Sequence, residues 1–547
     1  MNWARYVHTV RHLRARQVLG RLARVWPGPR PDVSPAPGLR PVREGAWQAP
    51  GARTPRLTGP SCFRFLNEEH EIASSEDWNP PSVSRLWLYH LHSFDDWNAR
   101  DAESRRAWHE RLLERWVEEN PPGQGVGWEP YPLSLRIANW IKWTLSGARL
   151  SERAQHSLAV QARHLLPRIE THLLGNHLLA NAKALVFAGL FFQGPEAEAW
   201  LKKGLGILAE ETLEQVLPDG GHVERSPMYH ALVCEDLLDV FNLFTAYGAA
   251  ARFAWRKEVE RMLAWLRVLS HPDGEIGLLN DAAFEIALSP SELAAYAGRL
   301  GFHERTPLPS WVFLKNTGYV RLERGGAVAL LDLAPLGPDY LPAHGHADTL
   351  TFELSLQGVR AVVDSGTSSY EEGPERLRQR GTLAHNTVAI DGLDSSEVWR
   401  SFRVAHRARI VEADAAADDA FVARAAHDGY ARLRTVGLHR RTWEMTDEAL
   451  VITDEVAGRE RHTVELPFHL HPSISLSSEG EHRFGIHHPA RGRLAVIEMD
   501  PSLQVTACQA TYHPGFGLSV PNWKIVGRYE GPLPLRLMNV IRWASSI

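Results

Sequence analysis

An α+β chain of two large domains, helices first and antiparallel strands after, is what the sequence predicts. Three observations carry this. At 547 residues the chain exceeds the size at which a single hydrophobic core stops growing. From about residue 83 to 300 apolar residues recur at helical spacing, and from about 315 onward the period falls to two. Helices followed by strands segregate into separate layered domains, because each kind of element buries its apolar face against its own kind.

Residues 1–60 read as a basic amphipathic helix followed by a proline-rich arm. The stretch MNWARYVHTVRHLRARQVLGRLARVW places Trp3, Tyr6, Val10 and Leu13 at helical spacing among Arg5, Arg11, Arg14, Arg16, Arg21 and Arg24. It has no apolar segment of a secretory signal, and no run of about 18 apolar residues occurs elsewhere, so a soluble, cytoplasmic chain is expected. Lying on a surface is the plain reading of such a helix, and docking on a membrane or a partner is the alternative. Residues 27–60 carry nine prolines, which helix interiors and central strands exclude, so an extended arm follows.

Residues 61–305 hold the helices, in segments such as LWLYHLHSFDDW, YPLSLRIANWIKWTLSGA, HLLANAKALVFAGLFF, LVCEDLLDVFNLFTAYG and EVERMLAWLRVLS. Short Gly, Pro and Asp punctuation between them makes successive helices antiparallel. Residues 306–547 hold the strands, in YVRLERGGAVALLDL, LTFELSLQGVRAVVDSG, NTVAIDG, RRTWEMTDEALVITDEV and HTVELPFHLHP. With 60 basic and 65 acidic residues and a net charge of −5, the chain is no general nucleic-acid binder. Three cysteines, odd in number and far apart, read as reduced thiols.

Chemistry has candidates in three stretches. In GNHLLANAKALVFAGLFF, Asn176 and His177 open an apolar helix, where an asparagine also serves as an ordinary N-cap. In GGHVERSPMYHALVCEDLLDV, Tyr229 follows a Ser-Pro pair, where a tyrosine also serves as a packed amphipathic aromatic. In AHGHAD, His344 and His346 would point the same way in a strand but not necessarily in a loop.

The stretches NHLLANAKALVFAGLFF, ERSPMYH, HPDGEIGLLNDAA, HGHADTLTFEL, VVDSGT and RGTLAHNTVAIDG, in this order, resemble the heparinase II/III-like family of polysaccharide lyases and its oligo-alginate lyase relatives. The resemblance runs from about residue 85 to 470. It implies an incomplete (α/α) toroid followed by an antiparallel β-sandwich. It also implies β-elimination at a 4-linked uronic acid: a base removes the C5 proton, the glycosidic oxygen leaves C4, and a 4,5-unsaturated sugar results. The chemical obstacle is a second negative charge developing beside a carboxylate, which hydrogen-bond donors must offset.

By the same resemblance Asn176 and His344 bind that carboxylate, Tyr229 is the acid/base, His177 is a base for the opposite C5 configuration, and Tyr370 is a second active-site tyrosine. His346, Asp364 and His385 are then ligands of a structural zinc ion, so that AHGHAD holds one histidine of each kind. The elimination itself needs no metal hydroxide. Trp128, Arg136, Arg378, Arg380 and Trp399 are candidates for gripping an anionic uronate polysaccharide or oligosaccharide, with Tyr131, Trp140 and Trp143 nearby. A homodimer is compatible with this reading.

Two other classes of function remain. A glycoside hydrolase on a similar toroid would use two carboxyl groups among Glu224, Glu235, Asp236, Asp273, Glu275 and Asp281. A non-catalytic binding or assembly protein for a bacterial uronate exopolysaccharide would hold the polymer without shortening it.

Overall fold

The computed structural model describes residues 3–26, 28–249, 255–303 and 306–543. Two short helices, α1 (Trp3–Val10) and α2 (Ala15–Ala23), stand where one amphipathic helix was expected. Then follow α3 (Arg85–Ser93), α4 (Arg106–Glu119), α5 (Pro130–Leu145), α6 (Glu152–Leu165), α7 (Gly175–Phe191), α8 (Pro195–Gln215), α9 (Pro227–Tyr247), α10 (Arg256–Val268) and α11 (Pro290–Arg299). Their starts are written locally. Ser84, Ser151, Ser226 and Ser289 each accept a backbone N–H as N-caps of α3, α6, α9 and α11. Proline opens α5, α8, α9 and α11, where its missing N–H has no helical partner to lose.

The helices form the toroid, with α7 buried almost all round between α5, α8 and α9. Its core is rich in tryptophan, Trp87, Trp116, Trp140 and Trp200 being essentially inaccessible. Residues 28–60 have no helix or regular strand and wrap the toroid as an arm. Arg43 N–H donates to the Ala246 carbonyl and Arg53 Nη2 reaches Glu235 Oε2 at 2.5 Å. No described helix is long and apolar enough to cross a membrane.

Strands from Trp311 onward form antiparallel sheets of five, eight and four strands. The five-stranded meander (Trp311–Leu314, Tyr319–Arg324, Ala327–Asp332, Phe352–Leu356, Val359–Val362) faces the toroid. Tyr319 Oη donates to the Arg225 carbonyl at 2.7 Å, and His271 lies 3.1 Å from Glu353. Deep in the sandwich Arg441 makes two bonds, of 2.7 and 2.9 Å, to Asp454. The boundary expected at 305/306 falls beside residues 304 and 305, which lie outside the described residues.

Candidate active site

A cleft of about 860 Å³ runs between toroid and sandwich. Asn176, His177 and Tyr229 line it from the toroid, and His344 and Tyr370 from the sandwich half, so the five residues singled out for catalysis share one cavity. Asn176 and His177 occupy the first turn of α7, entered through Leu174 (φ 67°) and Gly175 (φ 57°). A Cβ on Gly175 would stand 2.5 Å from Glu224 Oε1, so only glycine lets that carboxylate reach the helix start. Glu224 Oε1 accepts both the Asn176 backbone N–H (3.0 Å) and one N–H of Nδ2 (3.1 Å). The second Nδ2 N–H remains for a ligand.

Tyr229 sits in the first turn of α9, its hydroxyl 3.0 Å from that of Tyr370 and its ring 3.9 Å from the His344 ring. Burial first, then Tyr370 and Asp281, holds the Tyr229 phenol well above its ordinary range. His177 stacks on Tyr131 at 4.2 Å and faces Glu170 Oε2 at 3.3 Å. Burial opposes its protonation, but the Glu170 carboxylate outweighs burial and raises the imidazole.

The loop 337–349 sends His344 into the cleft and His346 away from it. Gly345 between them is required by close packing, since a Cβ there would stand 2.3 Å from Leu336. Its carbonyl accepts from Arg380 Nε and Nη2 at 3.2 and 2.7 Å. Both histidines meet Asp281: Nδ1 of His344 at 2.9 Å and Nε2 of His346 at 2.8 Å. Arg376, on the short helix α12 (Pro374–Arg380), forks onto the same carboxylate at 2.5 and 2.7 Å. Arg376 and the two histidines overcome burial and hold Asp281 well below the usual carboxylate range.

Backbone strain gathers around these residues. Arg225, next to Glu224, and Asn280, next to Asp281, both have φ of 58°. Such conformations cost on the order of 1–3 kcal/mol each and persist where surroundings over-determine them. Here the Arg225 carbonyl accepts Asn280 Nδ2 at 3.1 Å, and Asn280 Oδ1 accepts the His346 N–H at 2.9 Å.

Behind this layer three buried ligand atoms lack hydrogen-bond partners: His346 Nδ1, Asp348 Oδ2 and His385 Nε2. One ligand atom from each of these residues lies within 4.8 Å of the others. Both rings are oriented by carboxylates behind them, His346 by Asp281 and His385 Nδ1 by Asp364 at 2.6 Å, the arrangement found behind metal-binding histidines. Asp364, expected as the third ligand, stands beside His385. Its Oδ2 is engaged by His385 and its Oδ1 accepts the Gly366 N–H at 3.0 Å. Asp348, two residues beyond His346 and not singled out from the sequence, is the carboxylate that groups with the two histidines.

The model described as Heparinase II/III N-terminus matches residues 87–296, and that described as Heparinase II/III-like, C-terminal, matches residues 306–537. The chain belongs to the heparinase II/III-like family. Among curated relatives of this family, a heparin-sulfate lyase of Bacteroides stercoris is 27% identical over 323 residues, 54% of this chain and 46% of that protein. FtsZ-localized protein C of Caulobacter vibrioides is 24% identical over 324 residues, 57% of this chain and 54% of that protein. The chain thus spans about half the length of these curated relatives. A solved heparinase III shares the fold at TM-score 0.68 and 18% identity, covering 88% of this chain and 80% of its own.

The five residues that the resemblance singled out for catalysis share the cleft, whereas those expected to grip substrate do not line it. Trp128 is core, its Nε1 donating to the Asn120 carbonyl at 3.2 Å and its ring packed on Trp116. Arg136 is fully buried over the Trp116 ring, donating to Gln161 and the His92 carbonyl. Trp140 and Trp143 are core as well. Arg136, Trp140 and Trp143 occupy the face of α5 opposite the cleft, whereas Tyr131, Ser134, Leu135, Ala138 and Lys142 line it. Arg378 pairs with Glu375 on the surface, Arg380 is spent on the Gly345 carbonyl, and Trp399 packs on Tyr6 with Nε1 donating to Thr9. Cations that do line the cleft include Arg21, Arg85, Arg403 and Arg407, besides the ion-paired Arg53, Lys142 and Lys183, with Phe402 and Tyr89 as aromatic walls.

Proposed function

We propose that the protein is a polysaccharide lyase that cleaves a 4-linked uronate glycan by β-elimination, leaving a 4,5-unsaturated product. The observation that carries this reading is the Tyr229–Tyr370 hydroxyl contact at 3.0 Å against the His344 ring, opposite Asn176, in one cleft. Tyr229 acts from its deprotonated form: the phenolate takes the C5 proton, and the phenol so formed gives that proton to the oxygen leaving C4, restoring the phenolate. Tyr370 orients that hydroxyl. Asn176 Nδ2 and His344 donate to the uronate carboxylate as enolate charge develops. His177 serves as base where C5 has the opposite configuration.

Two of the candidate carboxyl groups, Glu224 and Asp281, do not suit the acid role in hydrolysis. A glycosidase needs one carboxylic acid kept protonated. Glu224 is lowered against burial by His344, His222 and Asn176, and Asp281 by Arg376 and the histidines, so both are committed anions. A zinc ion held by His346, Asp348 and His385, imidazole and carboxylate donors of the right type, would supply a fixed charge that stiffens the loop bearing His344. Asp281 and Asp364 would orient its ligands.

The test is ultraviolet absorbance of the unsaturated product on a panel of uronate polysaccharides, wild type beside Tyr229→Phe. The reading expects a rise with at least one polymer, lost in the variant. Polymer bound but never shortened would favour the binding-protein reading. Products without the new chromophore would favour hydrolysis.

A further inference from the structure

The first two helices are amphipathic in an inverted sense. Their polar face is the one packed on the protein. Arg14 Nη2 reaches Glu214 at 2.5 Å, Arg16 Nη1 reaches Glu211 at 2.9 Å, and the buried Gln17 donates to the Tyr340 carbonyl. Arg5 meets Glu397 at 2.8 Å and Thr9 accepts Trp399 Nε1, so the pair bridges toroid and sandwich. Their apolar face looks outward. On α1 it consists of Trp3, Val7 and Val10, at i, i+4 and i+7. On α2 it consists of Val18, Leu19 and Leu22, continued by Val25 and Trp26 just past the helix. These eight side chains are between 44% and 75% exposed, a concentration within 24 residues where a monomer's large apolar residues are normally scattered.

We propose that this stripe docks on an anionic lipid surface. Charge selects that occupant. Residues 1–31 contain seven arginines and no aspartate or glutamate, and Arg11, Arg21, Arg24 and Arg30 are exposed beside the stripe. A two-fold contact between copies would set this patch against itself and bring arginine against arginine. An anionic bilayer takes the apolar side chains at the acyl boundary and the guanidinium groups at its headgroups, with Trp3 and Trp26 at the level tryptophan favours. The helices are too short to cross, so they lie in the interface plane. Because Thr9, Leu13, Gln17 and Arg21, and Val10 at the edge of the stripe, also line the cleft, docking fixes one end of that cleft close to the lipid surface. None of this depends on the elimination chemistry.

The experiment is flotation of the full chain with vesicles of phosphatidylcholine alone and of phosphatidylcholine mixed with phosphatidylglycerol. Flotation is expected with the anionic vesicles only, weakening as salt is raised. The double variant Leu19→Glu/Leu22→Glu should lower partitioning by more than about tenfold. Both side chains are exposed, so its melting temperature should match wild type, which excludes misfolding as the cause. Absence of flotation with anionic vesicles would overturn the proposal, as would equal flotation of the double variant. Salt-stable self-association in solution that the same substitutions abolish, without vesicle binding, would assign the stripe to a second copy instead.

Discussion

His344 and His346 hold opposite oxygens of one carboxylate: Asp281 Oδ2 lies 2.9 Å from His344 Nδ1, and Oδ1 lies 2.8 Å from His346 Nε2. The cleft histidine and the histidine of the candidate metal cluster are therefore positioned by the same group. Replacing Asp281 by Asn should lower turnover and metal content together. Metal affinity should fall about 10–100-fold, as for loss of a carboxylate behind a ligand histidine. Stability should fall by about 3–5 kcal/mol, because Arg376 is left buried without its counter-charge. Turnover, metal analysis and melting temperature on one preparation check this, and full metal occupancy with reduced turnover would separate the two histidines.

Tyr229→Phe keeps the ring against His344 and removes only the hydroxyl. Loss of one hydrogen bond to Tyr370 should cost about 0.5–1.5 kcal/mol. Product formation should drop by about 10²–10⁴-fold. Near wild-type activity in a stably folded variant would refute the elimination mechanism proposed above.

The pH profile follows from the same residue. Its phenol is held above the ordinary range, so it is neutral at pH 7. Where phenolate is the base, log turnover should rise about one unit per pH unit on the alkaline side until the enzyme unfolds. A flat profile in initial rates would assign the proton to another group.

Asn176→Ala and His344→Ala should each reduce kcat more than they raise KM, by about 10²–10³-fold, if their hydrogen bonds strengthen as enolate charge develops. Unchanged kcat with raised KM in both would make them uniform binders.

Far from the cleft, burial would raise Asp454, but Arg441 and His439 outweigh it and depress its pKa from 3.8 to about 2. A depressed carboxylate contributes stability above its unfolded pKa and loses it as pH falls through the folded one. The contribution, on the order of 2 kcal/mol, should disappear between about pH 4 and 2 in urea melts. Asp454→Asn should destabilise by about 3–5 kcal/mol at neutral pH by leaving Arg441 unpaired in the core.

Helices and strands were legible because period is a local property, and resemblance brought together Asn176, His177, Tyr229, His344 and Tyr370, which share one cavity. The substrate residues were not legible. Helix α5 carries aromatic and charged side chains on both faces, and period alone does not say which face a neighbouring helix covers. Arg136 and Trp140 turned inward, while Tyr131 and Lys142 turned to the cleft. Asp281 stood in the quoted LLNDAA, but its bond to His344, 63 residues away, needs the fold to be seen. Asp348 was not singled out at all, because only the fold brings its carboxylate beside His346 and His385.

The tie from Tyr319 through the Arg225 carbonyl to Asn280 and on to His346 bears on synthesis. Ribosomes release the helical half first, and that half carries Asn176 and Tyr229 but neither His344 nor Tyr370. A nascent toroid lacks half of the cleft's side chains, and its strained turns at Arg225 and Asn280 keep their mutual bond but lack those that Tyr319 and the His346 N–H add. The cleft is complete only when the residues through Tyr370 have emerged and the first sheet has docked, so a truncated or stalled chain carries half of it.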